Sequence, residues 1–253
     1  MSYDQVSLKQ PQESIDYAQN SNFIIDQINQ IMNDAMMTGR NKIIINTNLA
    51  LGIPMENVNK IAGPFVEAWA VEIFTNYLTN KFSPTLKSVT PGERLNMADV
   101  ILQFHLQTGK SILGHVDVKA TSKDIEGSGK SPNITSYARI RSAYVQNPNF
   151  NFIILSIKHR VYSKKDPVTN MMMGIMEVIE FKAYDLKFIA ESDISYNPAL
   201  GTGQLQIRDI HHVSHKLRTT WEFCQILDRK FLASKKGFNQ WYEYALQNKW
   251  MNE

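Results

Sequence analysis

Apolar residues recur at helical spacing through Phe23, Ile24, Ile28, Ile31, Met32, Ala35 and Met36, and the run stops at Gly39, which predicts one amphipathic helix ended by glycine. A second stripe of Val58, Ile61, Phe65, Trp69, Ile73 and Tyr77 predicts a helix over 56–78 that Gly63-Pro64 kinks or divides. After Pro91-Gly92 the period shortens to that of strands. Residues 98–106 and 111–120 flank Gln107-Thr108-Gly109-Lys110 and predict a hairpin. Pro132-Asn133 opens a helix carrying Ile134, Tyr137, Ala138, Ile140 and Tyr144. Residues 151–162 read as a strand apolar enough at its start to be central, and 172–184 as a further strand. A loop at 197–203 leads into 204–213, and helices near 220–234 and 239–248 close the chain. That order predicts an α/β fold, a mixed central sheet flanked by helices, in a single domain over 1–253 without linker or repeat.

Composition narrows the class. With 43% hydrophobic and 20% charged side chains the chain has the profile of a globular protein, which excludes disordered, collagen-like and coiled-coil readings. Its apolar runs fall far short of the roughly 20 residues of a membrane span. The first residues, with Asp4 and Glu13, lack the apolar core of a secretory signal, so a cytoplasmic protein is expected. Cys224 stands alone, which excludes an internal disulfide and a thiolate zinc site and predicts a buried filler. His211, His212 and His215 lack a fourth ligand and are expected at the surface. Charge is unevenly placed: residues 105–166 carry ten Lys/Arg against four acids, a net +6, in a chain of net +3. A solvated basic face and a polyphosphate partner both account for such a run.

Acid-x-lysine pairs occur at Asp117/Lys119, Glu180/Lys182, Asp185/Lys187 and Asp228/Lys230, more than the one or two expected by chance in a chain of about this length. Asp228 and Lys230 fall on a predicted helix, where residues two apart face different ways. Asp185 and Lys187 read as a surface turn, and Glu180 and Lys182 as solvated. Asp117 and Lys119 differ: a strand's period of two puts both on one face and turns Val118 into the core. Folding the chain at 108–110 opposes residues whose numbers sum to roughly 216–219, which brings Asp99 within a rung or two of that pair.

Two carboxylates and an ammonium at the end of an apolar hairpin are costly unless compensated. A hard divalent cation compensates them. Mg²⁺ takes oxygen ligands and keeps several waters, so Asp99, Asp117 and the Val118 carbonyl are sufficient. Such an ion bridges a scissile phosphate while Lys119 orients the nucleophile, which points to phosphodiester hydrolysis. From the residues alone, a structural ion-pair cluster remains an equal alternative.

Asp99 followed on the next strand by Asp117-Val118-Lys119 resembles the signature of the PD-(D/E)xK nucleases, with Ala98 where many members carry proline. Residues 119–144 are similar to restriction endonucleases of the HincII kind. The segments IIINTNL, IAGP, DVKATS, SPNITS, LSIKH, DISYNPALGTGQ and RTTW are similar to the HpaI family of type II restriction endonucleases along the whole chain. The resemblance implies a Mg²⁺-dependent homodimer that cuts double-stranded DNA at a palindrome of the GTTAAC kind to blunt ends. A cognate DNA methyltransferase would act on the same site. It also implies a catalytic core near 95–165 and DNA-reading loops near 123–133 and 195–206.

In the first loop, Lys130-Ser131-Pro132-Asn133, the resemblance places Asn133 at the minor groove near the centre of the site; capping the next helix is its alternative role. The second loop, through Asn197, Ala199 and Gly201, enters the major groove by the same resemblance, unless it is a plain connection. Backbone exposed by Gly201 and Gly203 and the amides of Gln204 and Gln206 suit that task. Lys123, Lys130, Arg139, Arg141 and Lys158 are expected on phosphates. Glu67 and Glu72 are read as exposed helix glutamates with a remote option on the site. A repair or recombination nuclease with the same core, and a DNA-binding protein with an inert metal site, are the alternatives.

Overall fold

Strands form where the apolar period shortens, and six of them make the larger sheet in the order β1 (Lys42–Ile45), β7 (Met172–Asp185), β6 (Asn151–Lys165), β4 (Ser111–Ser122), β3 (Val100–His105) and β2 (Leu86–Pro91). The computed structural model describes residues 2–252 except 48, 53, 54, 81–83, 94, 95, 200 and 202, and only the backbone at 55–57. The hairpin of β3 and β4 pairs Val100 with Val116 and His105 with Ser111, a constant sum of 216 and therefore the expected register. Between β4 and β6, Thr121 Oγ1 donates to the Ile157 carbonyl at 3.3 Å and the Lys123 N–H to the His159 carbonyl at 2.8 Å. Those numbers rise together, so β4 and β6 run parallel while β3 and β4 run antiparallel, and the sheet is mixed. β6 sits in the middle, and its residues from Asn151 to Ile157 are all buried.

Two compact units divide the chain. The first holds Asn22–Gly129 and Ile153–Tyr184; the second holds Met1–Ser21, Lys130–Phe152 and Asp185–Glu253. In the first, Ile24, Ile28 and Ile31 of α1 (Tyr17–Met37) and Val66, Ile73 and Phe74 of α3 (Ala62–Thr79) join Val100, Leu102, Val116, Val118 and Leu155 in one core. The expected long second helix is divided, but at Ile61: α2 (Met55–Lys60) stops there, and Gly63-Pro64 falls in the first turn of α3. Proline is tolerated at that place because first-turn N–H groups have no helical partner.

The second unit carries a three-stranded antiparallel sheet of β5 (Asn133–Ser136), β9 (Gln204–Ile207) and β8 (Ile194–Asn197), with α4 (Tyr137–Gln146), α5 (Thr220–Leu232) and α6 (Gly237–Gln247). The helix expected from Pro132-Asn133 thus starts four residues later, at Tyr137, because 133–136 are taken up by pairing with β9. Two acid-x-lysine pairs change status here. Asp185 and Lys187 form no surface turn. Both are buried, Asp185 accepting from Tyr17, Ser21 and the Lys187 N–H, and Lys187 Nζ meeting Glu13 and Thr220. Asp228 is fully enclosed and accepts from Tyr3, Tyr137, Arg141 and Trp241. Cys224 is buried, as a filler should be. Among the described residues no helix is long and apolar enough to cross a membrane.

Candidate active site

Asp99 stands one residue before the first ladder pair of β3, and the backbone fixes it from three sides. Its N–H donates to the Val116 carbonyl at 2.9 Å, its carbonyl accepts from the Gly92 N–H at 2.7 Å, and its Oδ2 accepts from the Val118 N–H at 2.7 Å. Gly92 is required in that arrangement, since a Cβ there would overlap the Ala98 carbonyl. The carboxylate occupies the place beside β4 that the next carbonyl of a longer strand would fill. N–H and C=O groups of one strand residue point to the same side, so the Val118 carbonyl also lies on the Asp99 side of β4.

Asp117 and Lys119 share the opposite disposition from Val118, whose side chain is in the core. Lys119 Nζ donates to Asp117 Oδ1 at 2.8 Å; Asp117 is 3% exposed, and its Oδ2 is buried with no hydrogen-bond partner among the described residues. Burial pushes the Asp117 carboxyl up to about 7 against the opposing pull of Lys119, and the negative fields of Asp99 and Glu67 add to the rise. Glu67 lies on α3, which packs on β4. Its carboxyl is also raised, by burial first and then by Asp99, with Lys119 acting the other way.

Glu67, Asp99, Asp117 and Lys119 therefore form one electrostatic cluster. Only three of the four stood out in the sequence, since nothing in the spacing of a helical stripe says which glutamate turns toward a hairpin. Glu72, exposed, takes no part. The donor set is all oxygen and includes an unsatisfied buried carboxylate atom, which fits a hard cation that keeps several waters. Among the described residues no three His, Cys, Asp or Glu side chains make a ready-made metal cage, and His211, His212 and His215 do not gather.

In the second unit the two expected reading loops meet. Asn133 and Gln206 oppose each other in the β5/β9 register. Gln206 Nε2 donates to Asn133 Oδ1 and to the Ser131 carbonyl, both at 3.0 Å. Asn133 is exposed and lies in a strand, and α4 takes Ser136 as its N-cap, so capping is not its role. Lys130 is exposed and paired with Asp209, Arg139 is exposed, and Ala199 donates its N–H to Asn197 Oδ1 at 3.0 Å. Gly201 is exposed and Gln204 half-buried, while in the first unit Lys123 is exposed and Lys158 pairs with Glu180 at 3.5 Å.

Two expectations are corrected. Arg141 cannot face a phosphate: it is 0% exposed and paired with Asp228 at 3.1 Å. Gly203 presents no free backbone to a groove. It is buried with φ at +88°, its carbonyl accepts from the Tyr137 N–H, and a Cβ would overlap the Tyr196 ring. The sequence signalled neither, because a basic residue on a helix and a glycine in a loop read alike whether they face in or out.

The mixed central sheet flanked by helices, with an aspartate and then Asp-x-Lys at the open end of its β3/β4 hairpin, is consistent with the fold of a restriction endonuclease. The family model described as "Type II restriction endonuclease HpaI" matches residues 4–249, and the chain belongs to that family. It is 54% identical to the type II restriction enzyme HpaI of Haemophilus parainfluenzae over 255 residues, with both chains covered completely. It is accordingly a site-specific, DNA-cleaving hydrolase.

Proposed function

We propose that this chain acts as a Mg²⁺-dependent homodimer in the cytoplasm. In this reading it cuts both strands of double-stranded DNA at a GTTAAC-type palindrome to leave blunt ends, and a cognate DNA methyltransferase protects the same site. One nuclease domain over 1–253, with its catalytic core near 95–165, carries the activity. The observation behind this reading is the enclosed oxygen of Asp117, without a partner among the described residues, beside Lys119 and the backbone-held carboxylate of Asp99.

Asp99 and Asp117, with the Val118 carbonyl, would hold the ion. Mg²⁺ when bound would supply charge neutralisation at the scissile phosphate and a more acidic attacking water. Lys119 keeps its ammonium at Asp117 and offers its remaining N–H groups to phosphate oxygens, offsetting charge that grows as the bond breaks. Lys123, Lys130, Arg139 and Lys158 position phosphates without reading sequence. Asn133 faces the minor groove near the centre of the site. Asn197, Ala199, Gly201, Gln204 and Gln206 supply the rest of the reading surface. A palindrome calls for a protein of matching two-fold symmetry, hence two copies.

Digesting a DNA of known sequence with and without Mg²⁺, and sequencing the fragment ends, tests the proposal. Blunt cuts inside GTTAAC, only with Mg²⁺, are expected. Cuts scattered over unrelated sequences, or tight binding without cleavage, would replace it with the repair-nuclease or inert-binder alternative.

A further inference from the structure

Hydrogen-bond chemistry around Gln206 fixes more than its own orientation. The Ser131 carbonyl can only accept, so the end of the Gln206 carboxamide that faces it is the NH₂ group, 3.0 Å away. The second N–H of that nitrogen points to Asn133 at 3.0 Å, so the Asn133 atom facing Gln206 must accept and is Oδ1. The Asn133 NH₂ is thereby turned outward from an exposed position, and among the described residues it has no hydrogen-bond partner.

The loop that sets this up is itself pinned. Ser131 holds a φ of +50°, unusual for a residue with a side chain, and its N–H donates to the Arg208 carbonyl at 3.1 Å. Lys130 is bridged to Asp209 on the same side. Asn133 and Gln206 are opposed across β5 and β9, so their side chains share one face of the small sheet. A carboxamide free to flip offers a donor or an acceptor equally. This one offers a donor alone.

We propose that Gln206 is a positioning residue that locks the Asn133 carboxamide with its NH₂ outward, so that Asn133 recognises only a base edge presenting an acceptor. The proposal rests on the reading of Asn133 as a base-facing residue at the minor groove. There, adenine N3 and thymine O2 are bare acceptors, whereas an exocyclic 2-amino group sets a donor against the Asn133 donor. Reversing the amide must reverse the preference. In Gln206→Glu the carboxylate can only accept, so Asn133 has to turn its NH₂ inward and its Oδ1 outward. In Gln206→Leu nothing holds the amide either way.

The experiment compares binding of two duplexes, one with the unmodified GTTAAC site and one with 2,6-diaminopurine at the central adenines, Ca²⁺ replacing Mg²⁺ so that cleavage does not intervene. The ratio of the two Kd values is the readout, because the added negative charge of Gln206→Glu weakens both complexes alike and cancels. Wild type is expected to favour the unmodified site by about tenfold. Gln206→Leu should bring the ratio near one, and Gln206→Glu should move it past one toward the diaminopurine duplex. Wild-type ratios in both Gln206 variants, together with a lost preference in Asn133→Ala, would overturn the positioning role and leave the reading of Asn133 standing. A wild-type ratio in Asn133→Ala would overturn that reading and the inference with it. Melting curves of all variants confirm that the small sheet is intact.

Discussion

Lys119 Nζ lies 2.8 Å from Oδ1 of Asp117, while the other oxygen of that carboxylate is enclosed without a partner among the described residues. The carboxylate is therefore only half satisfied, and its cost depends on pH. Burial raises the folded-state carboxyl to about 7, so the folded protein holds this proton more tightly than the unfolded chain does. The contribution of Asp117 to stability falls as pH rises from the ordinary carboxylate range to about 7, and the full penalty remains above that. Asp117→Asn should abolish the penalty. Metal-free melts at pH 5 and pH 8 are expected to show the variant gaining on wild type by on the order of 2 kcal/mol between the two. Added Mg²⁺ should stabilise wild type at pH 8 and leave the variant unmoved. Cleavage by Asp117→Ala or Asp117→Asn should drop by at least about a thousandfold while site-specific binding persists.

Asp99 does two jobs that substitution can separate. Asparagine keeps an oxygen for the Val118 N–H and loses the charge; alanine loses both and strands a backbone donor at a residue only 1% exposed. Both variants should lose cleavage. Only Asp99→Ala should also lose stability, by about 1–2 kcal/mol in denaturant titrations.

Glu67 shares the field of Asp99, Asp117 and Lys119, and Glu72 on the same helix is exposed. Glu67→Gln should lower the Asp117 carboxyl toward its ordinary range and reduce cleavage about tenfold at limiting Mg²⁺. Glu72→Gln should match wild type. Equal effects of the two in steady-state assays over a Mg²⁺ series would deny Glu67 any share in the site.

Arg141, expected on a phosphate, is enclosed with Asp228 instead. Arg141→Ala leaves the buried Asp228 without its cationic partner and should cost about 3–5 kcal/mol, with the dependence of DNA affinity on salt unchanged wherever the protein stays folded. Lys123→Ala should do the reverse, leaving the melt alone and reducing the salt slope by about one.

Gly201 and Gly203 separate in the same way. Both have positive φ, but a Cβ on Gly201 meets open space and one on Gly203 meets the Tyr196 ring. Gly203→Ala should lose about 2–3 kcal/mol of stability and Gly201→Ala about 1, by thermal or urea unfolding.

What the sequence made legible was what periodicity controls. The β3/β4 hairpin, its register and the convergence of Asp99 with Asp117 and Lys119 all follow from a period of two and a turn at 107–110. β1 and β2 escaped because they are short outer strands, half exposed, whose KIII and LKSVTP carry no clear alternation. β5 escaped because Asn133 to Ser136 obey pairing with β9, far along the chain, rather than the helical pattern that follows them. Burial of Arg141, Asp185, Lys187 and Asp228 was invisible for a related reason: charged residues are enclosed only where partners remote in sequence arrive to meet them.

The bond from Val118 to Asp99 makes one amide proton into a gauge. Whatever draws Oδ2 of Asp99 away must expose that proton, and whatever tightens the carboxylate's seat must shield it further. Hydrogen–deuterium exchange at this single backbone position would report the state of the open end of the hairpin without any bond being cut.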